Sequence, residues 1–284
     1  MFQLCEITNQ DSLYYNITVE EGETLLKSFF FLGVNMNSHY LYQIAKRNLK
    51  DLLEFITQQQ NKLDNIDTLE CNRLLYNYVD TFYSFVNYYE SHYKEEFAGI
   101  KRKFYDTYFE YRFIYNLRNY MVHESLGILK VTKEIYPDTI LVKFIVETNR
   151  LISSNRVSNK MKDELKTSIK DEIDIGPILK NHLKIILKLH EDMLLCLQSQ
   201  ILEKFAYISK YIKNKNDTFL LSNDGIVNSL LNVTTKYYKC VAENFVYDEN
   251  FYNTDTDIWK FFLKLSFAYY GQTNVIYNIK KDNL

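Results

Sequence analysis

Proline and glycine are scarce, two and seven in a chain of 284 residues. So few breakers exclude Pro/Gly-rich linkers and collagen-like repeats, and they favour long helices. Cysteines are few and scattered. Cys5, Cys71, Cys196 and Cys240 form no Cys-x-x-Cys pair, which argues against a zinc site and against a disulfide framework. Charge of one sign is lacking too: 34 Lys+Arg against 36 Asp+Glu leave a net charge of −2, so any contact with phosphate has to be local. No run of about 18 apolar residues offers a membrane span. The opening Met1-Phe2-Gln3-Leu4-Cys5-Glu6 lacks the basic-then-apolar order of a signal peptide. A reduced, cytoplasmic protein without membrane association is expected. Gly-rich phosphate loops, Gly-x-Ser-x-Gly elbows, His-Glu-x-x-His and metal-spaced carboxylates are missing as well, so neither metal nor cofactor is expected. His182 and His190 share a helix face only approximately and have no Cys or paired His beside them. His190-Glu191-Asp192 reads as a solvated face, and His39 and His92 as isolated structural or exposed residues.

Apolar residues make up 46% of the chain, and 25 Tyr and 19 Phe supply enough area for a sizeable core. The pattern is mainly α. Phe2 to Ile7 and Leu13 to Val19 are β-prone runs around a polar turn and predict a small hairpin. Thr24 to Leu32 predicts a short buried helix ending near Gly33, and a second helix should run from Asn37 or Ser38 to about Leu63. Behind the Asp67-Thr68-Leu69-Glu70 start, Leu75, Tyr78, Phe82, Phe85 and Tyr89 predict a helix to about Tyr93. An aromatic-rich helix is expected from Phe104 to His123, and its rings are core, dimer interface or, less simply, a base-stacking platform. Period-two runs from Ile128 to Ile135 and Ile140 to Val146, around Pro137-Asp138, predict a hairpin. A polar stretch follows, with a short helix at Lys160 to Ile169. Asp174-Ile175-Gly176-Pro177 then opens a long helix to about Lys213. Leu220 to Val246 and Ile258 to Tyr270 read as further helices, broken at Asn223-Asp224-Gly225 and Asp248-Glu249-Asn250. The expected organisation is an N-terminal hairpin and short helix (1–36), a helical domain with a β-hairpin inserted at 127–147 (37–215) and a C-terminal helical extension (216–284).

One stretch carries chemistry. In Tyr115-Asn116-Leu117-Arg118-Asn119-Tyr120-Met121-Val122-His123, an arginine precedes a histidine by five positions and an asparagine follows the arginine. Five steps of about 100° set Arg118 and His123 roughly 140° apart on a regular helix. The pair therefore makes sense near a helix end, or when a second chain supplies a matching pair across a cleft. Upstream, Lys101-Arg102-Lys103 is a candidate phosphate-facing patch, against a solvated loop or helix start. Asn72 and Arg73 are candidates to face the same cleft, against a helix-helix hydrogen-bonding role. The non-catalytic alternative pairs Arg118 with a carboxylate such as Glu110 or Glu124 and leaves His123 to cap a helix.

The order of a helix carrying Cys71-Asn72-Arg73-Leu74-Leu75-Tyr76-Asn77-Tyr78, an aromatic-rich helix ending in Leu117-Arg118-Asn119-Tyr120-Met121-Val122-His123, a β-hairpin and a long closing helix resembles the HEPN superfamily. Its hallmark is Arg-x(4 to 6)-His, often with Asn after the Arg. The resemblance covers about Asn37 to Lys215 and implies a helical bundle that dimerises through the motif helices. It further implies a metal-independent endoribonuclease of a toxin–antitoxin, abortive-infection or phage-defence system, with RNA as substrate and an antitoxin or defence protein as partner. His123 would then be acid or base, Arg118 would hold the scissile phosphate and Asn119 would orient either side chain or the ribose. Other members bind RNA without cutting, or only scaffold, and a helical interaction or regulatory dimer is the expected alternative.

Overall fold

The computed structural model describes residues 2–7, 12–60, 66–128, 130–168, 171–210, 218–223 and 226–232. They form two compact units, one of residues 38–193 and one that joins residues 1–37 to the chain beyond 193. The protein is mainly α-helical with small antiparallel sheets, as its scarcity of breakers predicts. Among the described residues no helix is long and apolar enough to cross a membrane.

In the unit that contains the chain start, β1 (Phe2–Ile7) and β2 (Ser12–Ile17) form the predicted hairpin. The second flank of β1 pairs with β6 (Thr218–Asn223), and β6 in turn with β7 (Ile226–Asn232), giving a sheet of order β2-β1-β6-β7. This corrects the expectation of a helix from Leu220. Apolar runs this short do not separate strand from helix by period alone, and the Asp224-Gly225 pair between them is a strong hairpin signal. The remainder of that expected helix, to Val246, and the one at Ile258 to Tyr270 lie outside the described residues. α1 (Val19–Gln59) opens with a reciprocal capping box: Thr18 Oγ1 accepts from Glu21 N at 3.2 Å and Glu21 Oε2 accepts from Thr18 N at 2.8 Å. No break occurs at Gly33. A buried glycine inside a helix costs only about 1 kcal/mol relative to alanine, which does not stop a helix capped this well.

The unit of residues 38–193 is built around α2 (Thr68–His92). Asp67 Oδ1 caps it by accepting from Glu70 N at 2.9 Å, and Cys71, Leu75, Tyr78, Phe82, Phe85 and Tyr89 form its fully buried stripe. The expected aromatic helix is divided into α3 (Lys94–Thr107) and α4 (Phe109–His123), with Tyr108 extended between them (φ −105, ψ 115). No breaker residue explains this; a tertiary contact does. Arg112 turns its guanidinium back to the carbonyl of Tyr105 and to Glu164, so an acceptor at the end of α3 is satisfied without helix continuation.

β3 (Lys130–Ile135) and β4 (Ile140–Glu147) form the predicted second hairpin, and Tyr136 N donates to Thr139 O at 2.8 Å across its turn. The polar stretch after it holds the predicted short helix, α6 (Asn159–Thr167), and two elements that were not predicted, α5 (Thr148–Ser153) and β5 (Glu172–Asp174), which pairs with β4. Beyond the reach of β5, the Gln60 amide completes the edge of β4, donating to Val142 O at 2.9 Å and accepting from Val142 N at 2.8 Å. α7 (Ile175–Ser209) is the expected long helix, with Pro177 in its first turn.

Candidate functional site

α4 ends at His123, where Glu124 N donates to Tyr120 O at 2.9 Å, so the motif occupies its last turns. The helix is regular to that point, and its end does not bring Arg118 and His123 together. Arg118 leans on α2, donating from Nη2 to Asp80 Oδ1 at 3.1 Å, with its guanidinium carbon 3.9 Å from the centre of the Tyr83 ring. Its side chain is 16% exposed and its Nε is buried without an acceptor, so only one of five donors is engaged among the described residues. Asn119 is half-buried and His123 exposed. They lie one turn apart on one face of α4, and neither side chain makes a hydrogen bond or ion pair among the described residues. Arg118 has a carboxylate partner, but it is Asp80 and neither of the two expected ones. Glu110 accepts from Asn181 and Glu124 from Ser154.

The weaker candidates are dispersed. Lys101, Arg102 and Lys103 follow one another on α3, so successive side chains diverge by about 100° and form no single patch. Lys101 pairs with Glu90 at 2.7 Å, Arg102 with Asp106 at 3.7 Å and Lys103 with Asp192 at 2.9 Å. Asn72 is buried: its Nδ2 donates to Ile128 O at 2.7 Å and to Thr68 O at 2.9 Å, and its Oδ1 accepts from Ile128 N at 2.9 Å. That is a clamp holding the entry to β3 against α2. Arg73 is exposed and bidentate to Glu70, with both contacts at 2.6 Å.

Sequence reasoning missed the buried polar groups. His190 and Glu191 belong to the interior and form no solvated face, and His39 joins them there. His39 Nδ1 meets His190 Nε2 at 3.2 Å, His190 Nδ1 meets the Tyr89 hydroxyl at 2.7 Å, and Gln43 closes on His39 Nε2 at 3.2 Å. His182 is bonded to the Tyr78 hydroxyl and rimmed by Phe82 and Tyr111. Burial holds these imidazoles neutral: His39 and His182 are pushed down to about 3, and His190 well below the usual range, with His39 and Lys46 adding to the effect of burial there. The signal was available only weakly, as His39, His182 and His190 each stand among apolar residues at helical spacing. Among the described residues no group of three or more His, Cys, Asp or Glu side chains is placed to hold a metal.

No family model, curated protein or solved structure matches this chain.

Proposed function

We propose that the chain is a HEPN-type endoribonuclease that works as a homodimer in a bacterial defence or toxin–antitoxin setting. The observation that carries this reading is the unengaged pair Asn119 and His123 at the end of α4, beside an arginine that rests on Tyr83 and makes one hydrogen bond, at 3.1 Å. In RNA the 2′-hydroxyl attacks the adjacent phosphorus, so the enzyme must supply a base, an acid for the leaving 5′-oxygen and positive charge for the phosphorane. His123 is the acid or base, Arg118 stabilises the phosphorane with its spare donors, and Asn119 orients the ribose or the imidazole. Arg118 and His123 diverge on one helix, so the complete site takes residues from two copies across a shared cleft.

The test is incubation of the purified protein with single-stranded RNA in EDTA. Fragments ending in 2′,3′-cyclic phosphate are expected, and His123→Ala should slow their formation by about 10² to 10⁴-fold. Equal cutting by wild type and His123→Ala would sink the catalytic assignment, and a monomer by light scattering would sink the composite site. The Arg118–Asp80 pair also favours a second reading, a non-catalytic RNA-binding or regulatory dimer in which Arg118 only joins α4 to α2. Growth arrest on expression that Arg118→Ala relieves would exclude it.

A further inference from the structure

Arg118 is one end of a row of three tyrosine rings, each with a cation over it. Its guanidinium covers Tyr83, whose ring lies 5.4 Å from that of Tyr115. The Lys101 ammonium stands over Tyr115 at 5.4 Å. Tyr115 meets Tyr105 edge-on at 6.3 Å, and Lys160 stands over Tyr105 at 5.8 Å. Four helices, α2, α3, α4 and α6, contribute to the row. The large rings of the core are fully covered, whereas Tyr83, Tyr105 and Tyr115 are half-buried and Lys160 is exposed.

Each cation has a carboxylate partner: Arg118 with Asp80 at 3.1 Å, Lys101 with Glu90 at 2.7 Å, Lys160 with Asp106 at 2.6 Å. These carboxylates are the open side of each pair, with side chains 44%, 48% and 49% exposed. Ion pairs so exposed are weak, because water screens them. A phosphate is a competitive replacement, since it offers several acceptor oxygens to the same cation.

We propose that this row is a binding track for single-stranded RNA leading away from Arg118, in which phosphates displace Glu90 and Asp106 from Lys101 and Lys160 while bases rest on Tyr115 and Tyr105. The assignment rests on the RNA reading above for its ligand class. A single strand is chosen because its bases are free to stack, whereas a duplex keeps them inside and an acidic peptide would use the cations alone.

The test measures fluorescence anisotropy of a labelled single-stranded RNA 12-mer with the full-length His123→Ala protein in EDTA, so that binding is read apart from cutting. Lys101→Gln combined with Lys160→Gln should raise Kd by at least about tenfold and lessen the slope of log K against log salt by about 1.4. Tyr115→Leu should raise Kd roughly tenfold, and Tyr115→Phe should stay within about twofold. Glu90→Gln should tighten binding by roughly two- to fivefold, a sign that a purely structural pair would not give. The track is overturned if Glu90→Gln weakens binding or leaves it unchanged, if the double lysine change matches a Lys133→Gln control, or if a duplex of equal length binds as tightly. Lys160 and Glu90 are exposed and Lys101 is 23% exposed, so the lysine and glutamate variants decide the matter even where Tyr115→Leu fails to fold. Track-dependent binding by a protein that cuts nothing would keep the track and remove the ribonuclease; cutting by a protein whose RNA affinity ignores these residues would do the reverse.

Discussion

Asn116 and Asn119 are three residues apart on α4 and are used in opposite ways. Asn116 is buried, donates to Arg112 O at 2.8 Å and accepts from Ser158 N at 2.8 Å. Asn119 is half-buried and makes no side-chain hydrogen bond among the described residues. The contrast repeats in other residue types. Arg112 is 5% exposed and grips Glu164 with two nitrogens, whereas Arg118 holds Asp80 with one. His182 is enclosed by Tyr78, Phe82 and Tyr111, whereas His123 is exposed. Residue type does not distinguish a structural polar group from a candidate functional one; how fully its hydrogen-bonding capacity is used does.

The largest effect that would break this comparison is acid unfolding. Below about pH 6.5 the unfolded chain takes up protons on His39, His182 and His190, and the folded chain does not. Stability is therefore present above that pH and falls as pH drops toward 3, by about 1.4 kcal/mol per pH unit for each histidine and about 4 for the three. Urea midpoints at pH 7.0 and 5.5 read it directly, and an unchanged midpoint would show that these imidazoles are not held neutral.

Next come the arginines. Arg112→Ala leaves Glu164, which is 32% exposed, unpaired and takes the donor from Tyr105 O, at a cost of about 2 to 4 kcal/mol. Arg118→Ala removes one contact to a carboxylate that is 44% exposed together with the guanidinium's stack on Tyr83, and should cost about 1 to 2 kcal/mol. Equal losses for the two would erase the distinction. The asparagines follow: Asn116→Ala should cost about 1 to 3 kcal/mol by stranding Ser158 N. The smallest effect belongs to Asn119→Ala, which should stay within about 0.5 kcal/mol of wild type by thermal melting.

Elements with a strong local pattern were legible in the sequence. The stripe from Leu75 to Tyr89, the hairpin around Pro137-Asp138 and the opening of α7 each follow from spacing and turn chemistry alone. What was not legible is decided over long separations. Tyr108 breaks a helix because of Arg112 and Glu164, and His190 is buried with a histidine 151 positions away. At the site, Arg118 and His123 could be named from their spacing. Asp80 and Tyr83 could not, since nothing local marks either as the support of an arginine so far along the chain, 38 positions from Asp80.

A Cβ on Gly127 would stand 2.8 Å from Met121 Sδ and 3.0 Å from Leu75 Cδ2, and the next residue, Ile128, is the one Asn72 clamps. The chain leaving His123 is thus fastened to α2 near Asn72 and Leu75, while Arg118 is fastened to the same helix at Asp80 and Tyr83. α2 thereby acts as a gauge bar for both ends of the motif. One residue inserted between Leu75 and Asp80 would lengthen that bar by about 1.5 Å and turn it by about 100°, so that the two fastenings could no longer both be met.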